Sequence, residues 1–292
     1  MSGVASHFSP ILLPVSSTPQ VQQTIVIEPR RSHALRFGEL WAYRELFFFL
    51  MWRDIKVRYK QTALGAFWAV LQPLLLMVVF TIFLGQLSGV GPSGVPYPLF
   101  ALAGLVPWTF FANGIAGQSN SLVGSSALVS KIYFPRLLLP LAAGCSFILD
   151  FAVSFLVLLV LMAVYSYPPS AESVLLPVYA LYVLVVAIGA GLWLAALNVR
   201  FRDVRYAVPF LIQLWLFATP VAYQFSIVPP TYQKIFALNP MVGAIEGFRS
   251  SLLGIGGVPA DVLAISSVSA LVLFVSGFLY FRRVERSFAD VI

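Results

Sequence analysis

The chain has 292 residues, of which 60% are hydrophobic and 10% charged, with a mean hydropathy of +0.90 and a net charge of +7 from 18 Lys and Arg against 11 Asp and Glu. Soluble globular chains carry about a quarter charged residues, so this composition excludes that class and points to an all-α integral membrane protein. In such a chain cations report topology before they report ligands, so the basic balance is no ground for a nucleic-acid partner; at roughly 20 residues per crossing, about six spans fit in one bundle.

Residues 1–36 mix Ser, Pro, Gln and Thr with no period that could bury a face, and predict a cytoplasmic tail ahead of a membrane domain over 37–292. The apolar run at 11–15 is too short and wrongly flanked for a signal peptide. From 37 to 52 the chain turns aromatic, but Glu39, Arg44 and Glu45 share no stripe and the apolar run is too short to cross, which predicts an N-terminal interfacial helix. A basic segment follows, with Arg53, Lys56, Arg58, Tyr59 and Lys60 just before the first long apolar run. Two readings of it stand. It is a positive-inside anchor, or its cations contact the phosphate or pyrophosphate of a lipid substrate.

Six spans are predicted over 64–87, 99–119, 137–165, 174–197, 206–223 and 258–281. Pro73 and Pro107 predict kinks in the first two, and the excess length of the third predicts tilt. Between the second and third spans, Ser125 and Ser126 can cap a short helix, Leu128, Val129 and Ile132 share one face, and Pro135 stops it. An amphipathic helix held between two spans is a handle by which something on one side of the membrane can move the bundle. With the N-terminus inside, every cation lies at a cytoplasmic end except Lys234 and Arg249, so the chain is expected N-in and C-in, with that helix in the cytoplasm. Stretches 89–98 and 167–173 become outside turns. Residues 225–258, with Pro229-Pro230, Asn239-Pro240 and Gly254 to Gly257, predict an outer re-entrant segment on which Glu246 and Arg249, three apart, can pair.

Sites for chemistry are sparse. No Gly-Lys-Ser or Gly-Lys-Thr with Walker spacing occurs, both histidines (His7 and His33) fall in the tail, and Cys145 stands alone in an apolar run, so neither nucleotide binding of that kind, a metal site nor an intrachain disulfide is expected. Asp150, placed near the middle of the third span, is the most conspicuous ionisable group: a carboxylate there costs about 2.5–3.5 kcal/mol on insertion scales. It serves transport or hydrogen-bonds two helices together. Among 25 Phe, 12 Tyr and 6 Trp, the candidates for a sugar-stacking channel wall are Trp108, Phe110, Phe111, Trp215, Phe217 and Tyr223, with an interfacial belt or lipid-facing packing as the competing role.

Three sets of residues carry a family resemblance: Lys131-Ile132-Tyr133-Phe134-Pro135-Arg136 followed by Leu139-Pro140; Arg53-Asp54 with Arg58-Tyr59-Lys60 and Leu64-Gly65; and Asn239-Pro240 with Arg249 and Leu252-Leu253-Gly254. Together they resemble the ABC-2 type exporter permeases over about residues 53–283, in particular the polysaccharide-export branch that moves O-antigen, capsule or teichoic acid. The resemblance implies a non-catalytic membrane subunit without cofactor in the bacterial inner membrane. It pairs with a second copy around an interfacial channel, works with two ATPase subunits that hold ATP and Mg, and moves a lipid-linked polysaccharide. It also implies an ATPase-coupling role for Leu128, Val129, Lys131, Ile132, Tyr133, Phe134, Pro135 and Arg136. The competing functions are export of a drug or simple lipid, a membrane transferase acting on a lipid-linked sugar, for which Asp150 and Glu246 are isolated, and a passive channel or secondary transporter, for which no internal repeat is found.

Overall fold

Apolar chain in a medium without water has to satisfy its backbone groups internally, and a helix does so within a single segment. Accordingly, every regular element among the described residues is helical. The computed structural model describes residues 37–60, 65–87, 91–92, 94–285 and 288, and the tail expected over 1–36 lies outside them. In chain order the helices are α1 (Phe37–Ala42), α2 (Arg44–Lys60), α3 (Gly65–Phe80, continued by a π-helical stretch Thr81–Leu87), α4 (Tyr97–Gly124), α5 (Ser126–Lys131), α6 (Leu138–Cys145), α7 (Ile148–Val164), α8 (Leu176–Arg200), α9 (Val204–Phe217), α10 (Pro230–Phe236), α11 (Pro240–Leu253) and α12 (Ala260–Val284). Short 3₁₀ turns at Ala171–Leu175 and Phe225–Ile227 precede α8 and α10.

Five of these segments among the described residues are long and apolar enough to cross a membrane: Phe67–Gln86, Tyr97–Gly124, Leu138–Val164, Ala171–Arg200 and Ala260–Val284. Each overlies a predicted span. The fifth predicted span, over 206–223, is instead the 14-residue α9. At 1.5 Å per residue it is about 21 Å long, short of a hydrocarbon core of about 30 Å. Side chains end it: Thr219 Oγ1 donates to the Trp215 carbonyl (2.7 Å), and Asn239 Nδ2 donates to the Ala218 carbonyl (3.2 Å) and to Thr219 Oγ1 (2.8 Å). Those groups replace a further helical turn.

The third predicted span is also broken. Ser146 and Phe147 separate α6 from α7, so Asp150, near the middle of the Leu138–Val164 span as expected, lies in the first turn of α7. The helix expected over 37–52 is instead two, α1 and α2, and α2 runs on through the basic segment to Lys60, so those cations lie on helix. Helix continues through Pro73 in α3 and Pro107 in α4.

α4 is the central helix, buried along most of its length from Leu99 to Leu122 and packed chiefly against α8. Polar groups tie the two. Gln118 is fully buried and donates through Nε2 to the Ala187 carbonyl (3.2 Å), while Asn198 Nδ2 donates to the Ser119 carbonyl (2.7 Å). The seam between α8 and α12 depends on glycine for close approach, since a Cβ at Gly189 would lie 2.8 Å from the Phe274 backbone. Small residues at helix crossings allow this contact in a lipid environment, where apolar burial alone drives little association. Gly189→Leu is therefore expected to destabilise the bundle by about 1–3 kcal/mol through overpacking. It should appear as a lower thermal midpoint in detergent; an unchanged midpoint contradicts the close seam.

Candidate functional site

The break at Ser146-Phe147 sets up the main polar junction. It turns Ser146 and Phe147 toward the last turn of α2, where Arg58 Nη1 meets Asp150 Oδ2 at 2.6 Å and Arg58 Nη2 donates to Ser146 Oγ at 2.9 Å. The guanidinium also sits 3.7 Å from the centroid of the Phe147 ring. Tyr59 donates its hydroxyl to the other Asp150 oxygen. Burial, reinforced by that hydrogen bond, pushes the Tyr59 phenol above its ordinary range, so it stays a protonated donor at neutral pH. In the sequence Asp150 and the basic segment stand as separate sites, and the fold joins them across 92 residues.

The other cations of the segment are placed differently. Arg53 closes onto its neighbour Asp54 through Nε and Nη2 at 3.0 and 2.8 Å. Lys56 and Lys60 are exposed, with the Lys56 ammonium 5.6 Å from the Trp52 ring. Beside these groups a cleft of about 640 Å³ opens between α2, the last turns of α4, α5 and α6. Arg53, Asp54 and Arg58 line one wall, Asn120 and Ser121 another, and Ala127 and Leu128 of α5 lie alongside. The cationic helix and the short helix that follows α4 thus share one cavity.

Residues 126–136 have two faces. Val129 and Phe134 are buried with Leu137 in a core that also takes Leu50 of α2, Leu192 of α8 and Phe281 of α12. Lys131, Ile132 and Tyr133 project outward, and Tyr133 is 94% exposed. The expected Ser cap is not made by a side chain; Ser125 takes the N-cap position, with its carbonyl accepting from Leu128 and Val129. Leu128 is partly buried in the same core, and Pro135 opens the turn into α6 by accepting from the Leu138 amide at 3.1 Å. Arg136 is tied to the end of α12: its amide donates to Glu285 Oε1 (3.0 Å) and its Nη1 to the Glu285 carbonyl (2.7 Å).

The six aromatic candidates separate by burial. Trp108, Phe110 and Phe111 are buried in the main core, where Phe111 meets Trp215 edge-on at 4.9 Å and Phe110 packs on Phe151. Trp215 spends its indole N–H on Asn239 Oδ1 at 2.9 Å, Tyr223 points its hydroxyl at the Phe217 carbonyl (3.3 Å), and Phe217 itself is 65% exposed. On α11 Glu246 and Arg249 pair at 2.8 Å, and the buried Arg249 also donates to the Pro220 and Val221 carbonyls and lies 3.8 Å from the Phe100 ring. Ser146, Gln118 and Glu285 escaped sequence reading. For Glu285 the available signal was an acid set among Arg282, Arg283 and Arg286.

Membrane-length helices joined at one end by short charged and amphipathic helices define a polytopic membrane protein. The chain belongs to the ABC-2 type transporter family, whose description matches residues 45–253. It is 32% identical over 258 residues to the O-antigen export system permease protein RfbA of Myxococcus xanthus, covering 87% of this chain and 98% of that protein. It is 28% identical over 242 residues to the RfbA protein of the same description from Klebsiella pneumoniae (82% and 92% covered), and 22% identical over 244 residues to the polysialic acid transport protein KpsM of Escherichia coli (81% and 92%).

Breaking a fully buried ion pair on one side costs about 3–5 kcal/mol; with the Arg58 and Asp150 side chains 27% and 11% exposed, about 2 kcal/mol is expected here. Asp150→Leu should therefore lower thermal stability in detergent more than Asp150→Asn, which keeps an acceptor for Tyr59. In a double-mutant cycle with Arg58→Leu the two losses should be non-additive; additive losses contradict the pairing.

Proposed function

We propose that the chain is the permease subunit of an ATP-driven exporter of lipid-linked polysaccharide, acting as a homodimer beside two ATPase subunits in the bacterial inner membrane. Similarity over nearly the whole length of an O-antigen export permease supports the class of cargo. The single observation that carries the coupling role is Tyr133, which stands 94% exposed next to exposed Lys131 and Ile132 on a segment otherwise anchored in the core. An exposed aromatic on a rigid base is the kind of group that fills a partner's pocket and dominates an interface. In this reading the end of the bundle carrying Arg58, Lys131 and Glu285 is cytoplasmic and both termini are inside, consistent with its load of cations.

Hydrolysis by the ATPase pair moves residues 128–136, and the displacement passes through the shared core to the spans. The apolar faces open to the second copy, the channel and lipid include those of α3, with Phe67, Trp68 and Val78 exposed, of α9, with Tyr206, Phe210, Leu214 and Phe217 exposed, and of α7 and α12, with Leu156, Val160, Val268 and Leu271 exposed. Phosphate contacts of the lipid carrier would fall first to Lys56 and Lys60, because Arg58 and Tyr59 are engaged with Asp150 and Arg53 with Asp54. A transferase is less well supported. Asp150 and Glu246 each face an arginine rather than one another, which is not an acid–base pair. ATP and Mg belong to the partner subunits in this scheme.

Two outcomes test it. The purified chain should stimulate hydrolysis by its ATPase and, in vesicles, move a lipid-linked glycan; transport of a simple lipid or drug alone contradicts the cargo. Tyr133→Ala should leave the chain folded while weakening its capture of the ATPase at least tenfold, in line with loss of a hot spot worth about 2 kcal/mol. Undiminished capture contradicts the docking role.

A further inference from the structure

α12 is fastened by polar contacts toward both of its ends. At one end Glu285 takes the Arg136 amide on its carboxylate and the Arg136 guanidinium on its carbonyl, with Arg282 Nη1 3.7 Å from the other carboxylate oxygen. Phe281 and Phe288 are buried there in the same core as Val129, Phe134 and Leu137. At the other end Ser266 Oγ, fully buried, donates to the carbonyl of Ala237, the residue that ends α10, at 2.9 Å. Val262, one turn earlier, is buried with Phe225, Val228, Ala237 and Val242 of the broken segment. Between the two ties runs unbroken helix, about 28 Å from residue 266 to residue 285.

We propose that Glu285 is a positioning residue that clamps the 128–136 segment to α12, making α12 the rod that carries a displacement of that segment across the bundle to the broken segment at 225–253. The inference rests on the exporter reading above, and adds to it the route taken. A helix is stiff along its axis because each backbone hydrogen bond runs parallel to it. A helix tied at both ends delivers to one tie the shift imposed at the other. α6, which also follows residue 136, packs on α2, α4 and α8 and makes no comparable tie to α10 or α11 among the described residues.

The test uses the full-length chain with its own ATPase in sealed vesicles, comparing Glu285→Ala, Glu285→Gln, Ser266→Ala and the double variant Glu285→Ala/Ser266→Ala. Three quantities are read: co-purification of the ATPase, ATP hydrolysed per complex, and glycan moved per ATP. Glu285→Ala and Ser266→Ala should keep assembly and hydrolysis within about twofold and lower glycan moved per ATP about tenfold, and the double variant should be no worse than the poorer single, as expected for two ties on one rod. Glu285→Gln keeps an oxygen for the Arg136 amide and should recover part of the ratio. An unchanged ratio, a fall of assembly and hydrolysis in step with transport, or multiplied deficits in the double variant overturns the proposal. If Glu285→Ala does not fold, Glu285→Gln and Ser266→Ala decide. A wild-type complex that hydrolyses no ATP or moves no glycan defeats the exporter reading instead, whatever the variants do.

Discussion

A carboxylate on a membrane-length apolar helix demands a partner, and the structure is arranged around how Asp150 obtains one. Left alone it would cost about 2.5–3.5 kcal/mol. Arg58 and Tyr59 answer it from α2. To reach it, α2 has to lie along α6, and the chain has to break at Ser146-Phe147 so that a serine hydroxyl and an aromatic face also meet the guanidinium. The same contact presents Arg53 and Asp54 to the cleft beside α5. One ion pair therefore sets the position of α2, the mouth of the cleft and the start of α7.

A second constraint divides the segment after α4 into an anchored face and an offered one. Val129 and Phe134 belong to a core shared with α2, α4, α6, α8 and α12, so Lys131, Ile132 and Tyr133 cannot shift without shifting what they stand on. Tight packing transmits displacement because a close-packed interior has little free volume to absorb it. Polar ties concentrate where helices meet: Gln118 and Asn198 between α4 and α8, Arg249 between α11 and the end of α9, and Glu285 between α12 and residue 136. Apolar surface drives little helix association in lipid, and these groups supply the specificity it cannot.

The five long spans were legible because uninterrupted apolar runs of about 20 residues have few other fates. The short helix at residues 126–131 was legible from Leu128, Val129 and Pro135, but Ile132, expected on the same face, follows the helix in extended backbone and is exposed. The length of the fifth predicted span was overestimated: hydropathy counts Thr219 to Tyr223 as continuing α9, whereas the end is set by hydrogen bonds from Asn239, about 20 residues away. Pairing over distance was also hidden. Nothing in the local pattern joins Arg58 to Asp150 or Arg136 to Glu285, whereas Glu246 and Arg249, three apart on one helix, could be paired by inspection. The aromatic set misled in part because a ring that packs in a core and a ring that faces a channel look alike in sequence; Trp108 and Phe111 do the first, and Phe217 is the exposed one.

The account as a whole depends on Lys131 to Arg136 lying on the side of the membrane where ATP is hydrolysed. With Cys145 replaced by Ser, a lone cysteine at Lys131 (Lys131→Cys) can be probed with a membrane-impermeant maleimide in right-side-out cells and in inverted vesicles. The account predicts labelling only in inverted vesicles, and protection there once the ATPase is bound. Labelling from the outside of intact cells contradicts it.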